Sequence, residues 1–319
     1  MFLMRSVILL AAFFCAVGAQ AQPYPNRPVK LVVPWPTGGA VDIIGRLVAQ
    51  NIADPLGQPV VIDNRGGAAG AIGSEYVAKS PPDGYTLLMG STTVISINPA
   101  IQKLPYAPTD FAPITMVAFV PHMLVISAEV PANNLKEFIA WVKANPGKVS
   151  YASAGPGTPH HIAGEMFKSI AGVDMLQVPY KGTGPALIDL IANRVQFMSV
   201  EAVAALPQVR AGKLKALGVA TKTRNALAPD IPTVAEAGLP GFEVTAWYGV
   251  VAPLGVPKPA AALLAKTISK GLEDPTFREK LSSLGATPVG GTPEEFGELL
   301  KRENAKWAKA IKDADIRVE

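Results

Sequence analysis

The chain has 319 residues, 49% hydrophobic and 17% charged, with a formal net charge of +4. That mix is globular, and the length exceeds what one hydrophobic core usually serves, so two domains are expected. The basic residues form no block and no aromatic-basic interleaving, which argues against a nucleic-acid partner.

Residues 1–21 read as a signal peptide. Arg5 is a minimal positive n-region and Val7 to Val17 is an apolar core too short for a comfortable bilayer span. Ala19-Gln20-Ala21 is an A-x-A cleavage signal that leaves Gln22 as the new N-terminus. Cys15, the only cysteine, offers a lipoprotein anchor, but Phe14 stands where a small residue is wanted. The expectation is an exported, soluble, cysteine-free mature chain without disulfide or thiolate chemistry.

From there short β-rich runs alternate with helical patterns, the signature of α/β domains with largely parallel sheets. The first predicted strand, Val29–Val33, runs into Trp35-Pro-Thr37-Gly38-Gly39 and then a helix with Asp42 in its first turn. Trp35 suits either a ligand wall or the core. Asp42 suits a cap, a brace for the loop or a contact to a ligand donor. Val60–Ile62 leads into Gly66-Gly-Ala68-Ala-Gly70-Ala-Ile-Gly73, and Pro81-Pro-Asp-Gly84 turns the chain into Thr86–Met89. Met123–Ile126 follows, then a capping box at Asn134 and Glu137.

Val149–Ala152 enters Ser153-Ala-Gly-Pro-Gly157-Thr158-Pro159, where Thr158 is the expected N-cap of a helix stopped at Gly172. His160 and His161 open that helix, and His160 suits either a structural hydrogen bond or ligand contact. Met175–Val178 ends in Tyr180-Lys181-Gly182, with Lys181 a surface charge or a pocket cation and Pro185 at a helix start. Val195–Met198, Ala216–Ala220 and Trp247–Val251 complete the strands. Capping boxes are expected at Thr233 with Glu236 and at Thr292 with Glu295. Asp274 opens a helix closed by Gly285, and the last ~65 residues read as almost wholly helical, with Trp307 and Ile311 on the inner face.

Three strands thus end in glycine loops that become helices. Each loop aims backbone N–H groups and the positive end of a helix dipole at one spot, an anion site built without charged side chains. Two extended stretches, Phe111–Ser127 and Phe242–Pro253, suit crossings between lobes. They predict a hinge architecture, with 22–123 and 248–319 as lobe 1 and 124–247 as lobe 2.

Other chemistries lack their residues. There is no G-x-x-x-x-G-K-[ST], and Ala68 breaks the dinucleotide pattern at the first required glycine. No G-x-S-x-G elbow occurs, and His160, His161 and Glu165 lack both metalloprotease spacing and a third ligand. No catalytic set, metal or cofactor is expected.

The residues do resemble a family. Pro36-Thr-Gly-Gly39 with Asp42, Gly66-Gly-Ala-Ala-Gly70, Pro82-Asp-Gly-Tyr-Thr-Leu-Leu88 and Gly155-Pro-Gly-Thr-Pro-His-His161 with Glu165 come first. Val178-Pro-Tyr-Lys-Gly182, Pro185-Ala-Leu, Arg210-Ala-Gly-Lys-Leu214, Pro232-Thr-Val-Ala-Glu-Ala-Gly238 and Trp247-Tyr-Gly follow in order. From about Tyr24 to the C-terminus the chain is similar to Bug-type extracytoplasmic solute receptors, the binding components of tripartite tricarboxylate transporters.

The resemblance implies a periplasmic, two-lobed type II binding-protein fold without enzymatic activity. Such a receptor closes on a small carboxylated solute and passes it to membrane permease subunits; the receptor is expected to be a monomer. It implies ligand contacts from Trp35, Thr37, Gly38, Gly39 and Asp42 in one lobe. Ser153, Gly157, Thr158, His160 and Tyr180 would face them from the other, with Ala68, Ser91 and Thr92 completing the cleft. Where the family carries a Phe-Asp-Asn-like set, this chain has Ser199, Val200 and Glu201. The displaced acid leans the expectation toward a plain organic acid over an amino acid. Alternatives are a ligand-sensing receptor for a membrane signalling partner and an exported hydrolase.

Overall fold

The computed structural model describes residues 24–224 and 228–313. The expected signal peptide and Cys15 lie outside them. No described helix is long and apolar enough to cross a membrane.

Among the described residues, ten strands alternate with helices. β1 (Val29–Val33), β2 (Val60–Asn64) and β3 (Thr86–Ser91) lie parallel, with β1 central and almost wholly buried. β5 (Ser150–Ser153), β6 (Leu176–Pro179) and β7 (Phe197–Glu201) form a second parallel set. Between the sets run two long antiparallel strands, β4 (Phe111–Ser127) and β9 (Thr245–Pro253), in the order β2-β1-β3-β9-β4-β7-β5-β6. β4 matches the predicted stretch Phe111–Ser127, and β9 begins inside the predicted Phe242–Pro253, at Thr245. β4 changes partners along its length. Phe111 to Pro121 pairs with β9, His122 to Ile126 with β7, and Met123 to Ser127 with β8 (Leu214–Val219). The two-residue β10 (Thr287–Pro288) also pairs with β4 and interrupts the expected helical C-terminal region.

The helices cover the sheet with apolar faces at helical spacing. α1 (Ala40–Leu56) buries Val41, Ile44, Leu47, Val48 and Ile52, and Gly57 ends it in the left-handed region. α2 (Ala71–Ala78), the short α3 (Asn98–Ile101) and α4 (Leu135–Ala144) follow. α5 (Pro159–Ala171) has Pro159 at its first position and ends at left-handed Gly172, as its sequence predicts. α6 (Thr183–Ile191), α7 (Ala202–Arg210), α8 (Lys258–Glu273), α9 (Pro275–Ser283) and α10 (Pro293–Asp313) complete the set.

Two apolar clusters hold the layers together. The larger runs from β1–β3 through β4 and β9 to α10, with Trp247 and Phe296 edge to face at 5.6 Å. The smaller is built on Phe138, Phe167 and Phe197, whose rings stack at 4.6–6.0 Å beside β5 and α5.

Candidate functional site

The loops that follow the C-terminal ends of the parallel strands gather around one cavity. Trp35, Gly39, Ala40 and Val41 come from the end of β1, and Ser91, Thr92 and Thr93 from the end of β3. Ala154, Thr158, Pro159 and His160 come from the loop after β5, with Thr183, Glu201, Ala246 and Tyr248 closing the ring. The cavity is small, about 20 Å³. A wider groove of about 840 Å³ adjoins it, lined among others by Pro36, Gly66, Gly67, Ala68, Gly155 and Tyr180.

Four helices begin at this cavity: α1 after Gly39, α5 after Thr158, α6 after Gly182 and α7 after Glu201. None has a side-chain cap. The first-turn N–H groups of a helix have no partner within it, so these ends carry partial positive charge and open donors. By contrast, Asn134 caps α4, Asp274 caps α9, and Thr292 with Glu295 forms a reciprocal box at α10. The box at Thr233 and Glu236 also forms, although it closes a turn and no helix follows.

Of the residues predicted for the site, Trp35, Gly39, Ser91, Thr92, Thr158 and His160 line the cavity, and Ala68 and Tyr180 line the groove. Trp35 also packs in the larger core, so it serves as wall and core together. Thr37, Gly38, Asp42, Ser153 and Gly157 line neither space.

Several of those five shape the loops. Buried Asp42 accepts the Gly38 N–H at 3.0 Å, the Arg46 Nε–H at 3.0 Å and the Asn64 amide at 2.9 Å, so it braces the first loop. Burial alone would raise its carboxyl, but the bonds from Arg46, Gly38 and Asn64 hold it below the usual range. Ser153 Oγ accepts from the Gly155 N–H and from Gln177, and the Gly157 N–H is donated to His161 Nδ1. Thr158 stands at the N-cap position but donates its hydroxyl back to the Gly155 carbonyl at 2.7 Å, so it closes the loop and does not cap α5.

The deep wall is a buried polar network. His160 Nε2 meets Glu201 Oε2 at 3.0 Å and Thr183 Oγ1 at 3.2 Å, while Tyr248 donates to Glu201 Oε1 at 3.0 Å. His122 lies beside it, with its ring centroid 5.2 Å from that of His160 and its Nδ1 3.1 Å from Ser199 Oγ. Burial pushes the His122 imidazole down to about 4, so the ring is neutral at pH 7. Burial would raise Glu201, but His160, by attraction and hydrogen bond, and His122 hold it well below the carboxylate range. Tyr248 is pushed up by burial and by the Glu201 charge.

His160 shows both its polar partners on one ring nitrogen. A catalytic relay needs acid and nucleophile on opposite nitrogens, so this is not relay geometry. The other nitrogen, Nδ1, is buried without a partner, as is Ser91 Oγ, and both residues line the cavity. Buried polar atoms are nearly always paired, so two orphans on residues that line one small cavity make it the candidate binding site. The displaced acid Glu201 does reach the cavity, because β7 ends there. His122, Thr183 and Tyr248 escaped the sequence reading. Their roles depend on contacts between residues 23 to 77 positions apart, and the signal at hand was the Trp247-Tyr-Gly segment.

A sequence model of the tripartite tricarboxylate transporter family receptor matches residues 44–316. The solved periplasmic binding protein BugD is 39% identical with a TM-score of 0.88, over 93% of this chain and 100% of its own. A Rhodopseudomonas palustris protein solved with adipate is 36% identical, TM-score 0.89, over 92% and 99% of the two chains. MatC from the same organism, solved with bound malate, is 35% identical, TM-score 0.84, over 90% and 100%. The architecture above is therefore the periplasmic binding protein fold that the sequence predicts.

Proposed function

The chain belongs to the tripartite tricarboxylate transporter receptor family, and from that premise we propose that it captures a small organic carboxylate between its two halves for delivery to a membrane permease. The family is one of periplasmic binding receptors. The observation that carries the proposal is the pair of unpartnered groups, Ser91 Oγ and His160 Nδ1, in a cavity ringed by four uncapped helix starts. The open N–H groups of those helix starts and the Ser91 hydroxyl suit an anion, and each charge-assisted bond contributes roughly 1.5–3 kcal/mol.

The ligand carboxylate sits against the first turns of α1 and α5 and accepts from Ser91. Thr37, Gly38, Asp42, Ser153 and Gly157 act behind those turns, and Trp35, Thr92, Ala68 and Tyr180 shape the remainder. Glu201 already has His160 and Tyr248 on its two oxygens. Its charge is met without a ligand ammonium, which supports a plain organic acid as cargo.

Release and capture need a hinge. Residues 22–123 with 248–319 form lobe 1 and 124–247 form lobe 2, linked through β4 and β9. β4 trades its β9 partner for β7 at Pro121 and His122, and proline there has no N–H to give. A cavity of about 20 Å³ has room for little more than a water, so entry requires the lobes to part. The ligand then favours closure by its differential affinity for that state. Export follows cleavage after Ala21, and the receptor acts as a monomer.

The test is a calorimetric and thermal-shift panel of malate, adipate, succinate and benzoate, with the matching amides as neutral controls. Saturable binding of at least one acid and none of its amide is expected. A panel in which amides bind as well as acids overturns the reading.

A further inference from the structure

The two halves touch beside the cavity, and the touching parts are nearly bare backbone. Gly182 and Gly184, at the start of α6, pack on Pro36-Thr37-Gly38 at the end of β1. A methyl placed on Gly182 would stand 2.9 Å from Pro36 Cδ, and one on Gly39 would stand 3.3 Å from Thr183 Cβ. A methyl on Gly184 would drive into the Thr37 carbonyl oxygen.

The two α6 glycines answer different demands. Gly182 has φ 147, a conformation that disfavours any side chain whatever its neighbours. Gly184 is absent from the positive-φ positions and sits in the first turn of α6, where alanine is the better helix former. Nothing in its own helix asks for glycine; the Thr37 carbonyl does. That carbonyl cannot retreat easily, because Asp42 holds the Gly38 N–H while Arg46 and Asn64 hold Asp42.

We propose that Gly184 is a positioning residue for ligand capture: the side chain it lacks is the clearance that lets α6 seat on the first loop and shut the cavity. Gly184 lines no part of the cavity and acts only through closure. The proposal rests on the closing-receptor reading above. Sheet continuity between the halves runs through β9 and β4, so this contact can open with both parallel sets intact.

The test compares the wild type, Gly184→Ala and a control, Ile188→Ala, on the exposed side of the same helix. Each is measured for ligand-free melting temperature, for affinity toward whichever of malate, adipate, succinate or benzoate the wild type binds, and for the radius of gyration with and without that acid. Gly184→Ala should melt at or above the wild type, bind at least tenfold more weakly and lose the ligand-induced compaction, while Ile188→Ala behaves as wild type. Wild-type affinity and compaction in Gly184→Ala overturn the proposal and leave the receptor reading standing. So does a lowered ligand-free melting temperature, since the contact then belongs to the basal fold. A wild type that binds none of the acids sinks both readings.

Discussion

At the residue scale, the chemistry of this site lies in which polar atoms are taken and which are left open. Thr158 illustrates the limit of local reading. Its position before Pro159 marks the helix start, but the hydroxyl goes back to Gly155 and leaves the α5 amides open. Thr158→Ala should therefore cost about 0.5–1.5 kcal/mol, the usual worth of one hydrogen bond, by loosening the loop, and should weaken acid binding. Urea unfolding and titration calorimetry on the same variant check both halves; unchanged affinity would remove this loop from the site. His122 makes the second residue-scale prediction. Its folded value of about 4 lies below the ordinary 6.5, so the unfolded chain binds the extra proton between those values. Its stabilising contribution is complete above pH 6.5 and falls away as pH drops toward 4, by about 3 kcal/mol in all. His161, also lowered by burial, acts in the same direction. His122→Asn should flatten this slope in urea melts between pH 7 and pH 4.5, and a variant with the wild-type slope would refute the assignment. Nothing near His122 in the sequence marks it, because its surroundings come from β7 and α5.

At the element scale, local pattern carried far. Val29–Val33 is a strand with the predicted bounds, and Pro159 and Gly172 bracket α5 as expected, because proline and glycine constrain their own backbone. β7 was displaced, predicted at Val195–Met198 and found at Phe197–Glu201, since its length is set by pairing with β4. β10 exists only through that same strand. Packing between elements was less legible. Gly164, midway along α5, lets the helix lie on the Tyr151 ring, whose hydroxyl donates to Glu165 at 2.6 Å. Gly164→Ala would improve helix propensity but push a methyl into that ring, so overpacking should win by about 1–3 kcal/mol. A thermal melt decides it: a stabilised variant would mean that α5 can shift freely on β5, and the placement of His160 would not depend on Tyr151.

At the scale of the whole molecule, two of the three glycine loops read in the sequence, those after β1 and β5, open helices at the cavity, while the third, after β2, lines the adjoining groove. Parallel strands bring successive loops to one end of a sheet, so spacing alone was informative there. The deep wall was not, because Glu201, Tyr248 and His160 meet only once β7, β9 and α5 are stacked. The central claim is that open main-chain donors at those helix starts, with Ser91 and His160, hold a carboxylate. A crystal structure of the full mature chain with the tightest-binding acid of the panel tests it most directly. The account predicts carboxylate oxygens within hydrogen-bonding distance of first-turn amides of α1 or α5 and of Ser91 Oγ. An acid bound elsewhere, with Ser91 Oγ and His160 Nδ1 still unpartnered, would contradict it.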